Sequence, residues 1–258
     1  MSLTHRTVDR PGGTVTAPPF PALLGRLVLG GVVAGVSSGT WQVLVTERAI
    51  SPALAIEEVR NAGSGAASVE AFSRTTQMVG GFVGTILAAV VLAVVLAVVF
   101  AALRHRLPGR TDGSRILGLT AIGFGVVALL PAVAIPANPP AIGDPDTIGT
   151  RTAIYGAVLV GGLVLAALVA GVVGVLRRRG TEHVAVIAAG TAAGVALVIL
   201  LLLVLPGSPD TVPADVPAGV VWDFRLASLG QLTVLWASLG LAGGWLVDRL
   251  ATGPIRTR

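Results

Sequence analysis

Residues 78–103 read MVGGFVGTILAAVVLAVVLAVVFAAL and hold no charged side chain. A helix needs about 20 mostly apolar residues to cross a bilayer. A helix apolar on every side is buried in a large core or in lipid. Five more blocks of this kind occur, giving spans over 22–46, 78–102, 116–136, 152–176, 184–205 and 227–248. Composition agrees: only 12% of the 258 residues are charged, against about 25% in soluble domains. The chain therefore predicts an all-α integral membrane protein, a polytopic bundle of about six transmembrane helices. Residues 21–258 form one transmembrane domain behind a flexible tail, 1–20, which has Pro11, Pro18 and Pro19 but no apolar run. Such a tail does not read as a signal peptide.

The basic residues set the orientation. The chain has no lysine, so its 18 basic side chains are all Arg. Thirteen lie in the tail, the 103–115 and 177–183 loops and the C-terminus, and five lie in the other three loops. Arg-rich loops stay in the cytoplasm, so both termini are expected there, in a plasma membrane. The acids divide the other way, with nine outside, including Glu47, Asp210 and Asp215, and four inside. An acidic outer face concentrates cations; equally, acids are what remains once Arg is kept from that side. Nucleic-acid binding would need a basic groove with aromatics, whereas here Arg marks the inner face.

Few residues within the spans carry chemistry. Gly31, Gly35 and Gly39 are four apart, a face on which another helix can approach closely. The same stretch contains GVSSG at 35–39, a G-x-S-x-G pattern, but no His lies in any span to act as base. Close packing is the better reading. Gln42 in the first span and Gln231 in the last are candidates to line a polar path, or else to hydrogen-bond across helices. Pro131 is expected to kink the third span and free backbone carbonyls. Trp41, Trp222 and Trp245 suit the interfacial belts. Without Cys there is no thiolate site, and without Lys no phosphate-binding P-loop. No enzyme and no bound cofactor is expected.

The outer loops hold the acids. The candidates for cation contact are Glu57 and Glu58, and Asp144 and Asp146, with Asn138 as a neutral oxygen donor. In PANPPAIGDPDTIGTRT, residues 136–152, Asp144 before Pro145 is also a helix start: the carboxylate caps and proline fits the first position. Asp146 then falls in the first turn, favoured by the helix dipole, and Arg151 sits on the rim, able to pair with an acid. This leaves Asp146 and Asn138 freer than Asp144 for a cation. The 137–151 and 206–226 loops resemble each other faintly in their prolines, acids and final Arg.

Four stretches together resemble the CbtA family of proposed cobalt transporter subunits. They are LVLGGVVAGVSSGTWQVLVTERAISPALAIEE, VEAFSRTTQMVGGFVGT, PANPPAIGDPDTIGTRTAIYG and VWDFRLASLGQLTVLWASLGLAGGWL. The resemblance implies cobalt uptake linked to cobalamin supply, with Co²⁺ as transported ion and a small single-span His-rich CbtB-like subunit as partner beside the lipid bilayer. The alternatives are a non-transporting membrane scaffold or partner subunit, or a carrier of another divalent cation such as nickel. One departure stands out: many relatives carry a His-rich stretch in the first outer loop, and here IEEVRNAGSGAASVEAFSR has no His. Imidazole suits Co²⁺ better than carboxylate alone. This member then borrows ligands from a partner, binds weakly through oxygen, or has shifted substrate.

Overall fold

The computed structural model describes residues 18–64, 72–140 and 142–251. All but the last three residues of the expected tail lie outside the described residues. Six helices are long and apolar enough to cross a membrane: Phe20–Gly63, Arg74–Leu103, Asp112–Ala134, Pro145–Arg178, His183–Val204 and Ala218–Leu250. They are built from α1 (Phe20–Trp41), α2 (Glu47–Ser64), α3 (Arg74–Leu103), α4 (Asp112–Gly123), α5 (Leu130–Ala134), α6 (Ile148–Arg178), α7 (His183–Val204) and α8 (Ala218–Ala251). An even number of spans brings Phe20 and Ala251 to one end, here the terminus face. The opposite end, the loop face, carries α2 and the two proline-rich loops.

The first helix is longer than its hydropathy predicts. A π turn, Gln42–Thr46, joins α1 to α2 without a break, and 44 residues run continuously to Gly63. At 1.5 Å per residue that is about 66 Å, twice a hydrocarbon core. Pro52 inside α2 does not end the helix. The third span holds a second π turn, Phe124–Leu129, directly before Pro131. The expected kink is thus resolved locally: proline cannot donate to the carbonyl four residues back, and the wider turn takes up the mismatch, with the Leu130 N–H bonded to the Gly125 carbonyl.

The core is a block of α1, α3, α4 and α8. A Cβ on Gly31 would stand 2.7 Å from the Ala93 Cβ, and one on Gly35 would stand 2.6 Å from the Ile86 Cα. On the other side of α1, a Cβ on Gly30 would stand 2.9 Å from the Gly243 Cα. The small-residue face therefore seats α1 between α3 and α8, backbone against backbone, as its spacing predicts. Leu27, Ala89, Ala93, Phe100, Ile116 and Leu239 fill the interior. Helix α4 closes on α8 at the terminus face, where Asp248 accepts the Gly113 N–H at 2.7 Å and the Thr111 hydroxyl at 2.9 Å.

Helices α6 and α7 form a separate hairpin. Only 11% of each apolar stretch is buried, against 33% in the first and last spans, so most of the hairpin faces outward, as a lipid-exposed surface does. Leu130 of α5 packs with Ile154 and Val158 of α6. At the loop face Ile142, Val216 and Val221 pack with Ile56 of α2 in a small core of their own.

Candidate functional site

Gln42 and Gln231, the two amides read as path-lining, meet. Gln42 opens the π turn, and Gln231 lies on α8. The Gln231 Nε2 is 3.4 Å from the Gln42 Oε1, which also accepts the Thr85 hydroxyl of α3 at 2.9 Å. The Gln231 Oε1 accepts the Thr46 hydroxyl at 3.0 Å, and its backbone carbonyl accepts the Ser38 hydroxyl at 3.2 Å. Positions four apart drift about 40° around an α-helix. The extra residue of the π turn draws them back, so Ser38, Gln42 and Thr46 share one face.

Gln42, Thr46, Thr85 and Gln231 line a cleft of about 510 Å³ between the first π turn, α3 and α8, with Gly81, Ser228 and Phe224 among its walls. A Cβ at Gly81 would stand 2.4 Å from the Gln42 Nε2, so a side chain there would push the amide aside. Thr85 lies 18 residues from Leu103 and Gln231 20 residues from Ala251. Both are thus about 27–30 Å from the terminus face along their helices, near the far side of a hydrocarbon layer. The cleft is a shallow, open vestibule whose lining is mostly apolar, with neutral amides and hydroxyls as its polar part. A second cavity, of about 370 Å³ between the third span, α6 and α7, is lined by residues such as Val126, Leu165 and Val198 and offers no ligand chemistry.

One ion pair flanks the vestibule, and nothing in the sequence singles it out. Glu47 lies between Thr46 and Ile50, both lining residues. Its carboxylate pairs with Arg74 of α3, which also donates to the Gln77 Oε1 at 3.1 Å. Their 27-residue separation and their loop-edge positions hid the pairing.

The loop candidates are dispersed. Asp144 caps the start of the fourth span, its Oδ1 accepting the Asp146 N–H at 2.9 Å, and Pro145–Thr147 forms the first turn, as predicted. Asp146 and Glu58 are exposed, and Glu57 is half-buried. Asn138 is not free for a cation, nor does it lie in the cleft: it donates to Asp210 at 3.0 Å and accepts from Arg225 at 3.2 Å. The carboxylate that organises this face is Asp210, whose side chain is 2% exposed. It accepts from the Thr147 hydroxyl at 2.7 Å and from Arg151 at 3.1 Å. The two look-alike loops are thus clasped to each other. Across from them, Arg60 of α2 holds Asp215 at 2.6 Å, and that hydrogen bond keeps the Asp215 carboxyl below the usual carboxylate range. Among the described residues no group of three or more His, Cys, Asp and Glu side chains could hold a metal ion.

A comparison with known families matches residues 20–248 to the family described as "Probable cobalt transporter subunit (CbtA)". The chain belongs to the CbtA family. The match takes in all six spans, the vestibule and the clasped loops. No curated protein matches the chain, and no solved structure matches it. A CbtA-family chain of this construction is a multi-pass membrane protein and, by its family, a probable cobalt transporter subunit.

Proposed function

We propose that the chain conducts a divalent transition-metal cation, cobalt first among them, across the plasma membrane as part of a cobalamin-linked uptake system, with the loop face external and both termini cytoplasmic. The observation that carries this reading is the vestibule. Four polar side chains from three helices converge at Gln42, Thr46, Thr85 and Gln231, among spans that are otherwise almost wholly apolar. Polar groups inside a membrane are costly and mark ion paths. Neutral oxygens bind a hydrated cation weakly, and conduction requires an ion to leave as readily as it enters.

The other outer groups fit the same scheme. Glu57, Glu58 and Asp146 gather cations at the loop face by their field, and Asp144 adds charge there while capping its helix. Oxygen ligands alone leave selectivity to a partner. A small His-rich CbtB-like subunit in the same bilayer supplies the imidazoles that this chain's first outer loop lacks, and its presence accords with the word "subunit" in the family's description. Catalysis has no place in the scheme. Nickel is the nearest alternative cargo, and a non-transporting scaffold the alternative role.

Uptake of labelled Co²⁺ into proteoliposomes that hold the chain and its partner tests the reading. Saturable uptake above empty vesicles, lost in Gln42→Leu and Gln231→Leu, supports it. Uptake equal to that of empty vesicles refutes it.

A further inference from the structure

We propose that Glu47 is the carboxylate that first receives the divalent cation at the mouth of the vestibule, and that Arg74 is a tethered counter-ion which the arriving cation displaces. The inference rests on the vestibule being the cation path.

Position comes first. Glu47 follows the π turn directly, and its neighbours Thr46 and Ile50 both line the cleft. Arg74 stands on the α3 face that continues down through Gln77 to Gly81 and Thr85 of the cleft wall. Seven residues separate Arg74 from Gly81, about 10 Å along the axis. The pair therefore bridges α2 and α3 at the loop-face rim. Of the other carboxylates of that face, Asp210 is enclosed by its donors and Asp215 is held by Arg60.

The pair is also asymmetric. The Glu47 side chain is 13% exposed, while Arg74 is 41% exposed. A carboxylate so enclosed needs a cation beside it at all times. Arg cannot shed its proton to neutralise itself, so it holds the place until another cation arrives. The half-exposed guanidinium can turn to water as the arriving ion takes its place, so the Glu47 carboxylate is never left uncompensated. It also keeps an anchor after release, because its other nitrogen already donates to Gln77. A divalent ion brings twice the charge into the position Arg74 leaves, and the Thr46 hydroxyl and Gln42 amide lie next along the path inward. On release of the ion inward, Arg74 returns and closes the mouth. No bond breaks; one counter-ion replaces another.

The experiment measures Co²⁺ binding by calorimetry on the full chain in lipid nanodiscs, alongside uptake in proteoliposomes with the partner. Exchange predicts opposite shifts. Glu47→Gln weakens Co²⁺ binding by about tenfold or more, and Arg74→Gln tightens it severalfold while slowing release, because the competitor is gone. Glu47→Asp, which retains the charge on a shorter arm, falls between wild type and Glu47→Gln and serves if the glutamine variant folds poorly. A pair that only staples α2 to α3 would make Glu47→Gln and Arg74→Gln behave alike. Shifts in the same direction, or no shift in either variant, overturn the proposal. Opposite binding shifts without uptake keep the site and sink the transport reading. Normal uptake with unshifted binding does the reverse.

Discussion

Two polar assemblies lie within a few turns of each other, and they are built on opposite principles. The loop-face clasp around Asp210 is charged and closed: Thr147, Asn138 and Arg151 satisfy a carboxylate that is 2% exposed. The vestibule around Gln42 and Gln231 is neutral and open, with about 510 Å³ of space beside its amides and hydroxyls. A charge enclosed by donors is costly to disturb and locks a shape. Neutral groups facing space give up little when a guest arrives. The richer cluster of charge is thus the more tightly locked of the two, and on the proposed reading the sparser polar cluster is the one that meets the ion.

That division predicts unequal consequences for mutation. The largest effect on function is expected in the vestibule: Gln42→Leu with Gln231→Leu lowers Co²⁺ uptake more than tenfold, while the unfolding midpoint in detergent moves little, since interhelical hydrogen bonds in membranes average about 0.6 kcal/mol. If the midpoint falls as far as uptake does, the division is wrong. The clasp should show the converse. Asp210→Ala strands Arg151 and costs about 2–3 kcal/mol of stability, less than a fully buried pair because Arg151 is 30% exposed. A thermal melt followed by circular dichroism checks it, and a stable Asp210→Ala protein that has lost transport would reverse the roles.

Smaller effects sharpen the contrast. Neutralising Glu57, Glu58 and Asp146 together should raise the KM for Co²⁺ about threefold at low salt, and the difference should vanish at high ionic strength, as expected of a field beyond the Debye length. A KM change that survives high salt would make these side chains ligands. Asp144→Ala should cost about 1 kcal/mol through the lost cap and leave the KM unchanged at high salt. The smallest effect concerns Arg60 and Asp215. The Asp215 carboxyl is held low by the Arg60 hydrogen bond. Its contribution is complete above the usual carboxylate range and fades only as pH falls through the lowered value. Transport measured between pH 5 and 8 should not register it; dependence in that window that disappears in Asp215→Asn would contradict this.

Hydropathy and spacing made much of the fold legible. All six spans follow from apolar length, and the seat of α1 follows from Gly31, Gly35 and their neighbours. Asp144 with Pro145 announced its own cap because the chemistry is local. The amides at 42 and 231 stood out because polar side chains are rare inside spans. What escaped was non-local or conformational. Asp210 finds its partners 59 to 72 residues away, and nothing in PGSPDTVPADVP distinguishes it from Asp215. Asn138 looked available because its partners lie in the other loop and on α8. The two π turns carry no hydropathy signal, yet the first aligns Thr46 with Gln42. The first helix outran its apolar window because α2 is helical by continuity and by its pairing with the loops through Ile56 and Arg60.

The continuity of α1 and α2 also has a mechanical meaning. The helix is pinned at Gly31 and Gly35, where backbones touch, and Glu58 stands 23 residues above Gly35, an arm of about 35 Å. A tilt of about 5° at that seat would carry the tip about 3 Å sideways. Motions too small to disturb the glycine seam become displacements comparable to an ion's coordination shell at the loop face, where Arg60, Asp215 and the clasped loops would feel them as a pull.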